Sequence, residues 1–148
     1  MGTQNVIARE PLVMLEEALQ AGVTMFQFRE KGNGTLTGAA YEQFACDCQT
    51  LCKKYHVPFI VNDDVDLAIK LQADGVHIGQ DDGVVAQVKK KIGHMMLGVS
   101  VHTMTEVAEA VACGAEYVGI GPIFPTKSKA DAQTPAGTAF LQQVAKAY

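Results

Sequence analysis

Carboxylate and amide side chains recur in this sequence directly after short apolar segments. Five such segments are followed by polar stretches, at residues 27–31, 62–64, 79–82, 100–103 and 121–129. Asp63, Asp82 and Asn62 offer hard oxygen ligands. Such ligands suit Mg²⁺, which takes one or two protein carboxylates and leaves its other positions to water and substrate phosphate. The residue types therefore predict a magnesium site.

Cations occur in the same stretches. Arg29 can bind an anion through its planar fork, while Lys31 and Lys129 act as point charges, so together they can offset a diphosphate. The residue sets that other reaction types need are not apparent in the sequence. No Ser–His–acid set is apparent, no dinucleotide fingerprint follows a strand, and no lysine lies within an apolar segment, as a Schiff-base nucleophile would. The pattern favours binding of an anion together with a metal.

Several of these residues also have a plainly structural interpretation. An aspartate after a strand often only caps the next helix, which could hold for Asp63, Asp64 or Asp82. Asp66 and Asp74 are predicted to be capping or solvent-exposed residues. The remaining structural alternatives are a surface ion pair for Arg29 with Glu30 and a solvated loop for Lys127 with Lys129.

A soft metal site on one helix is a further alternative. Cys48, Cys52 and His56 are spaced i, i+4 and i+8, so they share a helix face. An apolar stripe occupies the same face and predicts core packing with reduced thiols instead. The stripe contains Tyr41, Phe44, Cys48, Leu51, Cys52 and Tyr55. His77, within an apolar segment, is predicted to be an inward-facing histidine and not a general base.

Alternating helices and strands must position these side chains. Periodicity predicts helices at residues 11–21, 37–55, 64–71, 83–92, 103–113 and 137–148. It predicts strands at residues 24–28, 58–61, 75–78, 96–99 and 117–120. Gly22 and Gly114 mark helix ends, and Thr103 with Glu106 forms a capping box. The alternation predicts an α/β fold with parallel strands buried on both faces, either doubly wound or a barrel.

Composition limits the partners. The chain has 148 residues, which is the length of one domain. It contains 12 Lys+Arg and 16 Asp+Glu, for a net charge of −4. This negative charge disfavours nucleic acid and anionic membranes as partners. No apolar run reaches the roughly 18 residues of a membrane span, and no secretory signal is apparent. A cytoplasmic protein is expected.

The sequence resembles thiamine phosphate synthase, the pyrimidine-transferring enzyme of thiamine biosynthesis, over essentially its whole length. The motifs that carry the resemblance are QFREK at 27–31, VNDD at 61–64, HIGQDD at 77–82, LGVS at 97–100, and GPIFPT at 121–126 with Ser128 and Lys129. The resemblance implies a TIM (β/α)8 barrel. It also implies a reaction that joins hydroxymethylpyrimidine diphosphate to thiazole phosphate, assisted by Mg²⁺ and dissociative in mechanism.

The same resemblance implies a role for each motif residue. Asp63 and Asp82 would hold Mg²⁺, and Thr126, Lys127 and Ser128 would contact the thiazole phosphate. Catalytic roles fall on Arg29, Lys31, Ser100 and Lys129. Contacts with the pyrimidine diphosphate fall on Gln27, Phe28, Arg29, Glu30, Lys31, Asn62, Ser100 and Lys129.

Residues 1–148 are expected to form a single, partial barrel domain that lacks the family's first strand and its last two βα units. An open sheet has unpaired edges, so low stability, self-association into a homo-oligomer and loss of synthase activity are expected for such a chain. Two other functions stay open. One is a thiazole tautomerase, a related barrel that need not bind diphosphate. The other is an inactive fragment that binds a phosphorylated ligand.

Overall fold

The computed structural model describes residues 1–6, 8–126 and 133–148 of the chain. These residues form two compact units. The first contains Met1–His77 and His94–Met96, and the second contains Ile78–Gly93 and Leu97–Tyr148.

All six predicted helices and all five predicted strands are present. The α-helices are α1 Pro11–Gln20, α2 Gly38–Lys54, α3 Val65–Leu71, α4 Val85–Ile92, α5 Met104–Ala112 and α6 Gly137–Ala147. The strands are β1 Phe26–Phe28, β2 Phe59–Asn62, β3 Gly75–Ile78, β4 Met96–Val101 and β5 Tyr117–Ile120. The sequence did not predict the short 3-10 helix Thr3–Asn5.

The strands pair in parallel, as the alternation of helices and strands predicted. In the first unit β1 pairs with β2, and β2 pairs with β3; in the second unit β4 pairs with β5. The start of β4 belongs to the first unit, where the N–H of Met96 donates to the carbonyl of Asp74 at 2.9 Å. The α/β class is therefore confirmed. Closure into an eight-stranded barrel stays a prediction from the resemblance.

Aromatic and aliphatic side chains fill the core of the first unit. Phe28 is 1% exposed, and its ring centroid lies 5.7 Å from that of Phe44 on α2 and 6.0 Å from that of Phe59 on β2. Cys48 and Cys52, on the same face of α2 as Phe44, are also fully buried. Burial of such side chains contributes about 1.5–3 kcal/mol each, so this core fixes α2 against the sheet.

Four helices end in the same left-handed turn. Gly22 and Gly114 have φ of 94° and 79°, as predicted for glycines after a helix. His56 and Gln72 adopt the same conformation after α2 and α3, at φ of 57° and 50°. In each case the residue after the left-handed one donates its N–H to a carbonyl five residues back, which satisfies the exposed end of the helix.

Two carboxylates fasten the amino ends of strands. Asp74 accepts a hydrogen bond from the N–H of Phe59 at 2.8 Å, and Glu116 accepts one from the N–H of Leu97 at 2.7 Å. Asp74 directly precedes β3 and bonds the start of β2. Glu116 directly precedes β5 and bonds the start of β4. Asp74, predicted to be a helix cap or solvent residue, therefore caps a strand.

Some element boundaries differ from the prediction. β4 continues through Val101, so Ser100 lies within the strand. α4 begins at Val85 and not at residue 83, because Gly83 has a φ of 138° that no helix accommodates. β5 is half-buried along its whole length, whereas burial on both faces was predicted. Within the described residues, none of the helices is long and apolar enough to cross a membrane.

Candidate functional site

Cations and carboxylates meet at the carboxyl ends of β1 and β2. The register places Phe28 beside Val61, so the residues that follow each strand leave the same edge. The ammonium of Lys31 lies 2.8 Å from Oδ2 of Asp63, with side chains that are 48% and 23% exposed. The sequence predicted that these two residues share a site, and the structure brings them together.

Glu30 organises the loop that carries the two predicted cations, Arg29 and Lys31. Its carboxylate accepts hydrogen bonds from the backbone N–H of Thr3 at 2.7 Å and of Leu36 at 3.0 Å, and another from the Thr3 hydroxyl. The carboxylate therefore ties the 3-10 helix to the loop after β1. The substrate contact that the resemblance implied for Glu30 stays a prediction, and in the structure its carboxylate holds the loop.

The backbone beside this loop is held by contacts with Met1 and Gly2. The backbone nitrogen of Met1 donates to the carbonyl of Gln27, and the N–H of Arg29 donates to the carbonyl of Met1 at 3.0 Å. Gly2 has no room for a side chain, because a Cβ there would lie 2.1 Å from the carbonyl oxygen of Arg29. Phe28 points into the core, so a ligand at this edge would meet its backbone.

Asn62 and Asp63 form the end of β2. Asn62 pairs with His77 of β3, and the N–H of Asp63 donates to the carbonyl of His77 at 2.8 Å. The next residue, Asp64, is the helix cap that the sequence allowed for: its Oδ1 accepts from the N–H of Leu67 at 2.9 Å. The N-cap of α3 is therefore Asp64 and not Asp63, whose carboxylate pairs with Lys31.

Tyr41, which was predicted only to belong to the apolar core stripe of its helix, also contacts this corner. The hydroxyl of Tyr41 on α2 donates to Oδ2 of Asp64 at 3.2 Å. Burial, and after it the negative charge of Asp64, raises the pKa of Tyr41 far above its usual range, so the hydroxyl stays protonated. Tyr41 and Asp64 are 23 residues apart in sequence, which leaves no local signal for the contact.

The second unit holds Asp82 in a tight turn after β3. Its Oδ2 accepts from the N–H of Gly79 at 2.7 Å. A Cβ on Gly79 would lie 2.8 Å from the same oxygen, so a side chain there would displace this carboxylate. α4 has Val84 as its N-cap, which removes helix capping as the role of Asp82.

Ser100 follows at the carboxyl end of β4, where it pairs with Gly119 of β5. Its carbonyl accepts a hydrogen bond from the side-chain amide of Gln80 at 2.6 Å. Gln80 was part of a motif but had no predicted role. Thr126 is exposed in the loop after β5, while Lys127, Ser128 and Lys129 lie outside the described residues.

The alternative soft-metal site is not supported. Cys48 and Cys52 are 0% exposed, as core packing predicted, while His56 is an exposed helix-end residue. His77 is 7% exposed, which confirms its inward orientation. Across residues 1–6, 8–126 and 133–148, no three His, Cys, Asp or Glu side chains are grouped to hold a metal.

The buried thiols predict how stability depends on pH. Burial raises the pKa of Cys48 to about 12 and that of Cys52 to about 11. A thiol in the unfolded chain has a pKa of about 8.5. The unfolded chain therefore loses these protons first, so their contribution to the free energy of unfolding is intact below about pH 8.5 and declines as the pH rises toward the folded values.

We expect urea unfolding to show this loss between about pH 8 and pH 10. The double variant Cys48→Ala, Cys52→Ala is expected to be less stable at neutral pH, because it opens small cavities, but to lose less stability over this interval. Cys46→Ala, which removes an exposed thiol from the same helix, is the matched control and should keep the wild-type pH dependence. An equal loss in the double variant would contradict the prediction.

Comparison with known proteins gives consistent matches. Residues 1–148 match the sequence profile of the family described as thiamine monophosphate synthase. The chain is 65% identical over 146 residues to the thiamine-phosphate synthase of Lysinibacillus sphaericus, which covers 99% of this chain and 68% of that protein. It is 56% identical over 138 residues to the thiamine-phosphate synthase of Bacillus cereus, covering 93% and 63% of the two chains.

A solved structure matches the fold. The thiamine phosphate pyrophosphorylase of Pyrococcus furiosus superimposes with a TM-score of 0.81 at 28% identity, covering 95% of this chain and 65% of that one. The chain thus spans between 63% and 68% of the length of these three relatives.

Proposed function

We propose, because the chain belongs to the thiamine monophosphate synthase family, that it joins hydroxymethylpyrimidine diphosphate to a thiazole phosphate and releases pyrophosphate. The observation that carries the proposal is the pairing of Lys31 with Asp63 at the shared edge of β1 and β2. A cation for a diphosphate and a carboxylate for a metal lie side by side there.

The oxygen donors fit Mg²⁺. Mg²⁺ takes one or two protein carboxylates and leaves its other positions to water and substrate phosphate. We assign Asp63 and Asp82 as its ligands. When bound, the ion would neutralise charge on the diphosphate and favour its departure.

The proposed reaction is dissociative. The bond between the pyrimidine methylene carbon and the diphosphate oxygen breaks, and its electron pair leaves with pyrophosphate. The lone pair of the thiazole nitrogen then forms the new bond to that carbon. Such a step needs fixed charge and orientation more than a strong base, which agrees with the residue types at this edge.

The chain's own residues would have three roles in this reaction. Arg29 and Lys31 would face the diphosphate and stabilise the negative charge that grows as the bond breaks. Asn62 and Ser100, at the carboxyl ends of β2 and β4, would orient the pyrimidine. Lys129 would add a third cation, and Thr126, Lys127 and Ser128 would contact the thiazole phosphate. A cytoplasmic location and a homo-oligomer stay predictions of the sequence.

Calorimetry with pyrophosphate, with and without Mg²⁺, tests the proposed site in the full-length protein. We expect Mg²⁺ to strengthen pyrophosphate binding and Asp63→Ala or Asp82→Ala to weaken the Mg²⁺-dependent part by at least about tenfold. Asp47→Ala is the matched control, because that carboxylate bonds only its helix neighbour Gln43 on the surface of α2 among the contacts described. Binding that is unchanged by Mg²⁺ would refute the assignment.

A further inference from the structure

The backbone at Asp63 is strained. Its φ of 65° lies in the left-handed region that residues with a side chain rarely adopt. The N–H of Asp64 donates to the carbonyl of Asn62 at 2.8 Å, and the N–H of Val65 donates to that of Asp63 at 3.0 Å. These are two successive three-residue turns, the first centred on a positive φ, which is a rare and strained form. Such a turn persists only where its surroundings hold it.

Asp64 provides much of that support. One oxygen of its carboxylate caps α3 through the N–H of Leu67, and the other accepts from the hydroxyl of Tyr41 on α2. A single side chain thus connects the turn to two helices. Removal of either bond would leave the Asp64 side chain, directly after Asp63, connected to one helix only.

Tyr41 is itself firmly placed. Its ring centroid lies 5.5 Å from that of Phe28, which is 1% exposed in the core. Phe28 is also the last residue of β1, immediately before the loop that carries Lys31. The hydroxyl of Tyr41 is therefore fixed relative to β1. The loop after β1 carries Lys31, the ion-pair partner of Asp63.

We propose that Tyr41 is a positioning residue that holds the Asp63 carboxylate in place through Asp64, and so sets how well the proposed site binds Mg²⁺ with a diphosphate. The inference rests on the proposed function. Tyr41 touches neither substrate nor metal in this scheme. It acts by limiting the conformations of the strained turn, so that little order has to be gained when a ligand binds.

The test is Tyr41→Phe in the full-length protein, with Mg²⁺ and pyrophosphate as the probes. The variant keeps the ring against Phe28 and removes only the hydroxyl. Calorimetry is expected to show Mg²⁺-dependent pyrophosphate binding weakened by roughly three- to tenfold, the loss expected for one hydrogen bond. Binding of pyrophosphate without Mg²⁺ should stay unchanged.

Tyr55→Phe is the matched control. The hydroxyl of Tyr55 also donates to a carboxylate, that of Glu16 at 2.8 Å, but on the surface between α1 and α2. A merely structural effect of losing a tyrosine hydroxyl would be similar in both variants, whereas an effect on Mg²⁺-dependent binding is expected only for Tyr41→Phe. In an Asp63→Ala background, Tyr41→Phe should cause no further weakening.

Two results would overturn the inference by different routes. If the wild-type protein binds pyrophosphate more tightly with Mg²⁺ but Tyr41→Phe behaves like wild type or like Tyr55→Phe, the positioning role is wrong and the proposed function stands. If Mg²⁺ has no effect on the wild-type protein, the proposed metal site fails and the role of Tyr41 fails with it.

Discussion

Lys31→Met is expected to lower kcat/KM for pyrophosphate release, measured with both substrates on the full-length enzyme, by about 10²–10³-fold. The ammonium of Lys31 is a fixed positive charge at the strand edge, 2.8 Å from Asp63. When the diphosphate departs, negative charge grows on it, and a cation already in place stabilises that charge without reorganisation. Its removal also leaves the Asp63 carboxylate without this counter-charge, which opposes binding of an anion.

Lys70→Met is the matched control for Lys31→Met. Lys70 also forms an ion pair, with Glu42 at 2.6 Å, but on the exposed surface between α2 and α3. Exposed pairs of this kind contribute at most about 1 kcal/mol, so the control should keep wild-type kinetics. A loss of less than about threefold for Lys31→Met would remove this lysine from the proposed mechanism.

Glu30→Ala is expected to lower the free energy of unfolding by about 2–3 kcal/mol, because it removes the acceptor of three hydrogen bonds. It releases the 3-10 helix and the loop that carries Arg29 and Lys31. Urea unfolding measures the stability loss, and kcat/KM is expected to fall with it, because the two cations lose their fixed positions.

Glu17→Ala provides the comparison for Glu30→Ala. Glu17 forms an ion pair with Arg9 between side chains that are 55% and 48% exposed, so its removal should leave the free energy of unfolding close to the wild-type value. Equal stability of the Glu30 and Glu17 variants would show that Glu30 does not hold the loop.

Local features of the sequence were enough to locate the helices and strands. The capping box of Thr103 and Glu106 is present, since the hydroxyl accepts from the N–H of Glu106 and the carboxylate from the N–H of Thr103. Gly22 and Gly114 adopt the left-handed conformation that their places after helices predicted. These features depend on neighbours within a few residues, so the sequence determines them directly.

Motif order also indicated which residues would share an edge. Lys31 and Asp63 are 32 residues apart, yet both follow apolar strands, and parallel pairing brings such positions together. Their meeting was predictable because it follows from topology. The roles of Lys127, Ser128 and Lys129 stay predictions, since these residues lie outside the described part of the chain.

The supporting contacts were decided only by the tertiary structure. The sequence shows Glu30 within a motif but gives no sign that Thr3 and Leu36 donate to it, and it shows Tyr41 in an apolar stripe but not its bond to Asp64. The physical reason is that such bonds depend on strand register and on the angle at which a helix packs, to within about 0.5 Å. Residue types and their spacing set the ends of the elements, but distances of that size are fixed only when the core packs.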